Sequence, residues 1–589
     1  MSHLDTLITD HLDLWSAAVR PKSSAGRGSN SKLELTGIKK LRELILELAV
    51  RGKLVPQDPS DEPASVLLER IAAEKARLVK EKKIKKPKAL PEIGEEEKPF
   101  ELPNGWEWSR INDVLHLENG DRSKNYPNKS ALVEYGIPFV NAGQLSDGLV
   151  SKSELCFISK ERFDILSGGK FNDGDILFCL RGSLGKCAVV KNFGVGAIAS
   201  SLVILRPYLP SITDYIMLVI NSPITSRNIS KFNNGTAQPN LSAADLSKFG
   251  LPLPPLVEQL RIVAKVDELM ALCDQLEQCS EAQLAAHQTL VETLLATLTD
   301  FCDADELAQN WARLSTHFDT LFTTEASIDA LKQTILQLAV MGKLVPQDPS
   351  DEPASALLER IAAEKARLVK EKKIKKEKPL PAISEDEMLF EIPKGWGWTR
   401  WNYVSLKIGD IDHKMPVEEN NGIPYVSPRD FYPNNIIDFN NAKKISQSDF
   451  EYLATKIQPK RGDIIFPRYG TIGANVLVDT DRDFLASYSC CIIKTMHGYI
   501  DPSYQFIYSI SDLVKVQCKK AENKTTQANV GIKSIQEFVI PMPPLREQRL
   551  ISTKVDELMR LCDQLKSRLK TSQQTQLALA ESLVEGALV

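Results

Sequence analysis

Apolar positions along the chain follow two kinds of pattern, and the two alternate. In PASVLLERIAAEKARLVKEKKIKK, residues 63–86, Leu68, Ile71, Ala72, Leu78 and Val79 recur at helical spacing among charges. This predicts an amphipathic helix stopped by the proline-containing KALPEI that follows. In EQLRIVAKVDELMALCDQLEQ, Ile262, Val266, Leu269, Cys273 and Leu276 step by four and three in turn, the seam of a coiled coil. Helical from Glu258 to about Leu298, that rod would span roughly 60 Å at about 1.5 Å per residue, and a counterpart begins at Glu547. Elsewhere the pattern changes: GDILFCLRGSLGKCAVVKN (174–192) reads as strand, glycine turn, strand, and so does GDIIFPRYGTIGANVLVDT (462–480). Trp106 and Trp108, like Trp396 and Trp398, alternate along a predicted first strand; their recurrence favours packing over base stacking.

The alternation arises because the chain is written twice. Residues 53–86 and 343–376 differ only at Val66 against Ala356. The likeness continues upstream in LRELILELAVRG (41–52) and LKQTILQLAVMG (331–342), and downstream in LPNGWEWSR (102–110) and IPKGWGWTR (392–400). It returns in PLPPLVEQLRIVAKVDELMALCDQL (252–276) and PMPPLREQRLISTKVDELMRLCDQL (541–565). Between GWxW and the PPL motif the copies have diverged to skeletal echoes: GIPFV and GIPYV, GDILF and GDIIF, RGSLG and RYGTIG, TAQPN and TTQAN. These are positions where backbone geometry is at stake. The expected architecture is two mixed α/β globules carried on helical arms. HLDTL at His3 matches HFDTL at His317, but the first copy alone carries PKSSAGRGSNSK (21–32), a Gly/Ser-rich basic stretch that reads as a plain linker ahead of the alternative, a phosphate-contacting arm.

With 589 residues the chain needs several cores. It lacks an eighteen-residue apolar run, and its first residues have no signal-peptide pattern, so a cytoplasmic, membrane-free protein is expected. Ten cysteines without a CxxC, including Cys490 and Cys491 in the apolar SYSCCIIK, read as small buried hydrophobes. The reagents of an enzyme are missing. There is no GxxxxGK[ST], GxSxG, GxGxxG or HExxH, and the seven histidines are scattered. A glycine-rich cofactor loop and an Asn/Asp-Pro-Pro-aromatic tetrad, expected of a base-modifying methyltransferase, are absent too; NSPI at Asn221 and DPSD at Asp58 do not supply that chemistry. No catalytic residue and no metal ligand is assigned. What remains is binding: near-identical arms for one kind of partner, unlike globules for different targets.

In this order and duplication the chain resembles the specificity subunit of a type I restriction–modification system, close to the long-repeat subgroup, type IB, over essentially its whole length. The resemblance implies residues 1–100 as an amino-terminal conserved helical region, 101–250 and 391–540 as target recognition domains, 251–390 as the central conserved helical region and 541–589 as a carboxy-terminal conserved helix. It further implies a non-catalytic DNA reader. Each recognition domain reads one half of a split asymmetric duplex target, and the helices set the spacing and dock two modification (methyltransferase) subunits. S-adenosylmethionine, ATP and Mg are used by the modification and restriction subunits of the complex, none being bound by this chain. A pseudo-twofold, circular arrangement would bring Leu4–Leu7 to the helix that starts near Glu547. The rival is a duplicated coiled-coil adaptor that binds two proteins without DNA.

Charge bears on this choice. The net charge is −4; residues 101–250 hold 15 Lys+Arg against 14 Asp+Glu and residues 391–540 hold 18 against 17, so each globule is +1. Binding by this chain alone should be weak, becoming specific and steeply salt-sensitive once partners contribute phosphate neutralisation. Arg and Lys read guanine edges or phosphates and Asn and Gln pair with adenine. The DNA-binding candidates are therefore Arg122, Lys124, Asn125, Lys129, Gln144, Arg181, Ser183, Lys186, Asn233, Asn234 and Gln238 in the first globule. In the second they are Lys414, Arg429, Lys443, Lys444, Arg468, Tyr469, Lys524 and Gln527. Arg181 is paired with Arg468, and Gln238 with Gln527, as shared scaffold or phosphate positions. The charge-rich 74–86 and 364–376 read as exposed helix faces or partner-docking surfaces.

Overall fold

The computed structural model describes residues 8, 10–21, 33–86, 90–146, 148–232, 239–300, 304–413, 415–433, 435–522 and 528–588. Leu4–Leu7, the linker from residue 22 to 32, and the candidates Asn233, Asn234, Gln238, Lys414, Lys524 and Gln527 lie outside them. The chain divides into two compact units, Met1–Ala282 with Ser572–Val589, and Gln283–Thr571.

In the first unit the apolar run LRELILELAV forms the helix Thr36–Val50, with Ile38, Leu41, Leu44, Ile45 and Leu48 buried. It ends because Gly52 takes a left-handed φ of +67°, and the amide of Lys53 donates back to Leu48 O (2.9 Å). A Cβ at residue 52 would strike the Pro103 ring, so the glycine is needed for space as well. The amphipathic helix expected from residue 63 spans Ala64–Lys80, shorter than the pattern suggested. Lys82 adopts φ +58° and Lys83 N–H closes onto Leu78 O, so the chain turns out of the helix before the proline. Its buried stripe is Ala64, Leu67 and Ile71, with Leu68, Leu78 and Val79 half-buried and Ala72 exposed. The coiled-coil pattern becomes the 45-residue helix Leu256–Asp300, roughly 67 Å long. Ile262, Val266, Leu269 and Cys273 are buried along its seam, while Leu276 is half-buried. Arg42 of the shorter helix reaches it with bridges of 2.6 Å to both Asp274 and Glu277.

The second unit repeats this frame from its own residues. The helix Glu325–Val340 and the first half of Leu545–Leu588 share a core through Ile328, Leu331, Ile335, Ile551, Val555 and Leu558. Lys332 pairs with Asp563 at 2.5 Å, and the helix Ala354–Lys370 ends at Lys372 with φ +56°.

Each globule is inserted through an antiparallel pair of strands. Glu107–Arg110 pairs with Gly250–Leu253 in the first unit, and Gly397–Arg400 with Val539–Met542 in the second. The first globule holds a six-stranded and a five-stranded sheet; the second holds sheets of four and three strands with a separate hairpin, Phe431–Tyr432 with Ile436–Ile437. Their common skeleton is the GDI strand, Ile176–Cys179 or Ile464–Pro467, set between a hairpin partner and a long antiparallel strand, Leu202–Pro207 or Cys490–Thr495. The GIP strand, Ile137–Val140 or Ile423–Val426, runs parallel to Val195–Ile198 or Leu485–Ala486. Cys490 and Cys491 lie in this core, and burial pushes the Cys490 thiol up to about 12, as expected of structural cysteines. Among the described residues no helix is long and apolar enough to cross a membrane, and no group of His, Cys, Asp and Glu could hold a metal ion.

Candidate nucleic-acid interface

The motifs that recur in both copies are consumed by the frame. Trp106 Nε1–H donates to the buried Glu258 carboxylate at 3.0 Å, and Trp396 does the same to Glu547 at 2.9 Å. The other carboxylate oxygen accepts from Gln57 (3.2 Å) or Gln347 (3.1 Å), inside the repeated KLVPQDPSDEPAS. Burial raises both glutamates above the usual carboxylate range, with the tryptophan and glutamine donors pulling the other way. GWxW, PPLxEQ and the repeated string are thus three pieces of one joint. Arg110 and Arg400 hold Glu97 and Glu387 at about 2 through bidentate pairs, and each also donates to a carbonyl at the end of its globule, Lys248 O (2.7 Å) or Glu537 O (2.6 Å). Lys53 and Lys343, which open the repeated string, place their ammonium groups on carbonyls at the last turn of a long helix, Leu588 O (2.9 Å) and Thr299 O (2.5 Å).

GDI[LI]F is also explained by the frame. Gly174 and Gly462 have φ of +92° and +86°. Asp175 is buried and pairs with Arg206 on the neighbouring strand (2.7 Å), and Asp463 pairs with Lys494 in the corresponding place.

What the frame leaves over gathers at one end of the central sheet. In the first globule Asn119 pairs with Val203 and Cys179 with Leu202, so the loop after Asn119 and the turn after Cys179 leave the sheet side by side. Arg122, Lys124 and Lys129 are exposed on that loop, and among the described residues none has a carboxylate within ion-pair distance. The loop is shaped by the buried Asp121, whose carboxylate accepts from the amides of Ser123 (2.6 Å) and Ser167 (2.7 Å). These bonds outweigh burial and hold it at about 2. Arg181, Ser183 and Lys186 are exposed on the turn. Arg181 forms a β-bridge with Asn240, its Nε donates to Asn240 Oδ1 (3.2 Å), and Gly182 N–H donates to Pro239 O, so Pro239 and Asn240 lie against the same turn. Asn240 and its counterpart Asn529 were not selected from the sequence; the AQPN and TQAN echoes carried them.

Two candidates of the first globule belong to the fold instead. Gln144 is buried; its Oε1 accepts from Asn141 N–H (3.0 Å) and its Nε2 donates to Glu154 O (3.1 Å), so the amide is turned into the fold and away from a base. Asp430 does the same job in the second globule, accepting from Ser427 N–H at 2.7 Å. Asn125 is half-buried, and its Nδ2 donates to Ile165 O (3.1 Å).

The pairing of Arg181 with Arg468 is off by one. The amides of Leu180 and Arg468 donate to Ser201 O and Ser489 O, and their carbonyls accept from Leu241 and Val530. Arg181 corresponds to Tyr469, each bridging an asparagine, Asn240 or Asn529. Arg468 is buried and pairs with Asp410 at 2.7 Å, so it cannot reach DNA. Arg429 is exposed beside Asp430 (3.6 Å), and Tyr469 is half-buried. Lys443 and Lys444 sit half-buried on the strand Lys443–Ile445 of the smaller sheet, Lys443 donating to Pro416 O at 2.6 Å.

The family model described as the type I restriction modification DNA specificity domain matches residues 103–286 and 404–572, once in each copy. The specificity subunits of the type I restriction enzymes EcoEI and EcoAI, both from Escherichia coli, are 43% and 42% identical to this chain, covering 99% of it and 100% of their own length. A chain from a solved structure on complex assembly and conformational transition of the type I R-M system is 17% identical, with a TM-score of 0.47 over 83% of this chain and 99% of that one. The chain belongs to the specificity subunits of type I restriction–modification systems.

Proposed function

We propose that this chain is the DNA-reading, non-catalytic subunit of its complex, each globule reading one half of a split, asymmetric duplex target. One observation carries the reading: the two units share the hydrogen bonds of the joint that holds each globule yet present different side chains at the corresponding sheet end, where the uncommitted cations of the first globule gather. The frame is then the common part that docks two modification subunits, and the long helices set the distance between half-sites. Lengthening a helix by one turn, about 5.4 Å, should move the preferred gap by one or two base pairs. S-adenosylmethionine chemistry belongs to the modification subunits, and ATP- and Mg-dependent translocation and cleavage to restriction subunits. The chain works in the cytoplasm, with its amino-terminal segment meeting the carboxy-terminal helix in a circular, pseudo-twofold arrangement. The near-neutral globules imply weak DNA affinity alone.

Selection from a random duplex library tests this, with the chain alone and then with its modification subunits and S-adenosylmethionine. Enrichment of a split sequence with a fixed gap in the mixture is expected. No enrichment with the partners demonstrably bound would leave the adaptor reading.

A further inference from the structure

At the sheet end of the second globule a cluster of side chains has no counterpart in the first. Arg468, 5% exposed, directs Nη2 to Asp410 Oδ2 (2.7 Å) and Nη1 to the Tyr469 hydroxyl (3.1 Å), with its guanidinium 4.6 Å from the Tyr469 ring centroid. His413 Nε2 lies 3.2 Å from the same Asp410 oxygen and 3.5 Å from Arg468 Nη2. The His413 ring stacks on Tyr488 at 5.1 Å and 26°, while 63% of its side chain remains exposed. Among the described residues Arg468 Nε has no hydrogen-bond partner.

The first globule is an internal control. Leu180 stands where Arg468 does and is fully buried, and Ser200 stands where Tyr488 does. The skeleton therefore accepts an apolar side chain at this point. A buried ion pair with an unmet N–H donor is no more stabilising than a well-packed leucine, so the fold does not call for the arginine. The cluster fixes hydrogen-bond polarity instead. Because the Tyr469 oxygen accepts from Arg468, its own O–H is left to donate. Because Asp410 can only accept and is the nearer partner of His413 Nε2, at 3.2 Å against 3.5 Å for Arg468 Nη2, the tautomer that satisfies it carries the proton on Nε2 and leaves Nδ1 as an acceptor. A donor on the half-buried Tyr469 and an acceptor on the exposed His413, both held by the Arg468–Asp410 pair, complement the adenine edge in the major groove, where N7 accepts and N6 donates.

We propose that Tyr469 and His413 are specificity-determining residues of the second globule that read an adenine, and that Arg468 is their positioning residue. This rests on the DNA-reading function above. The test uses the chain assembled with its modification subunits and S-adenosylmethionine, with selection on random duplex DNA for the wild type, Tyr469→Phe, His413→Phe and Arg468→Leu. Tyr469→Phe removes one hydroxyl and keeps the ring. It should lower preference about tenfold at a single adenine of one half-site, leaving the other half intact. His413→Phe and Arg468→Leu should relax that same position. Placing 7-deazaadenine there, which lacks the N7 acceptor, should weaken the wild-type complex about tenfold and the Tyr469→Phe complex no further. If the wild type selects a split target and the three variants leave every position unchanged, or relax one that is not adenine, this inference falls and the DNA-reading function stands. If the wild type selects nothing, both fall.

Discussion

The joint at the base of each globule and the tip of its central sheet have been held to very different standards. At the joint, Trp106 with Glu258 and Trp396 with Glu547 use the same residue types at distances that agree within 0.1 Å. At the end of the sheet opposite the tip the role is kept while the residue changes, Arg206 with Asp175 in one copy and Lys494 with Asp463 in the other. At the tip neither survives: Leu180 takes the position that Arg468 holds in the other copy, and Ser200 that of Tyr488. Even in the frame a contact can move by one helical turn. Asp61 is met by Arg261 (2.6 Å), but its repeat Asp351 is met by Arg546 (3.3 Å), four residues earlier on the equivalent helix. Duplicated parts preserve the interaction, and the residue only so far as geometry requires it.

Exchanging residues between the two tips probes the comparison most severely. Leu180→Arg puts a charge at a fully buried position beside a strand that carries Asn119 where the second globule has Asp410, and should destabilise the first globule by about 3–5 kcal/mol, as uncompensated buried charges do. Arg468→Leu combined with Asp410→Asn, which removes both members of the ion pair and installs the residues its sister already carries, should cost about 1 kcal/mol or less. Urea unfolding of the two variants decides it, and equal losses would mean that the tips are not interchangeable. A second contrast lies in the two GDI glycines. Gly174→Ala meets open space and carries only the left-handed backbone penalty of about 1–2 kcal/mol. Gly462→Ala would also drive a Cβ into the His497 ring and should lose more. The ordering of the urea midpoints checks this.

Replacing Arg122, Lys124 and Lys129 together with alanine should flatten the salt dependence of DNA binding by the complex, by up to about 2.7 in the slope of log K on log salt at about 0.9 per phosphate contact. Titration by fluorescence anisotropy over a salt series would measure it; an unchanged slope would remove those cations from the interface. The smallest effect concerns acid. Asp121 is held at about 2, below the unfolded value of about 3.9. Its contribution to the first globule is therefore complete above that value and is lost as pH falls through about 2. Asp463 is raised by burial, with Lys494 opposing, so its ionised form is the costly one and acid relieves the second globule. Hydrogen exchange followed from pH 5 to pH 2.5 should show the first globule loosening ahead of the second, and Asp121→Asn should narrow the gap.

Much of the frame was legible because it is local or repeated: the long helix with its buried Ile262, Val266, Leu269 and Cys273, the strand–turn–strand of GDILF, and the packing role of the tryptophans. Pairings across the chain were not legible. Nothing in GWEW says that its first tryptophan will hydrogen-bond a glutamate 152 residues away. Matching Arg181 to Arg468 by identity also failed, because the chain registers on backbone hydrogen bonds and the glycines Gly182 and Gly470, which place Tyr469 opposite Asn529. Polarity misled in the same way at Gln144 and Asn125. An amide looks equally available for a base or for the neighbouring backbone until the turn closes around it. The Arg468 cluster could not be read at all, since Asp410 and His413, just past one strand, and Tyr488, just before another, are brought to it only by the sheet.

The paired strands at the mouth of each globule have a further meaning. Arg110 faces Gly250, and Arg400 faces Val539, in adjacent register, so roughly 140 residues leave and re-enter the frame through points about 5 Å apart. Such a gate fixes where the insert begins and ends while remaining indifferent to its contents. Loop-closure entropy grows only as the logarithm of insert length, about 0.6 kcal/mol for each doubling. A foreign globule whose ends meet can therefore occupy the same socket with hardly any disturbance to the stem, and the molecule can acquire a new address by exchanging one cassette at a time.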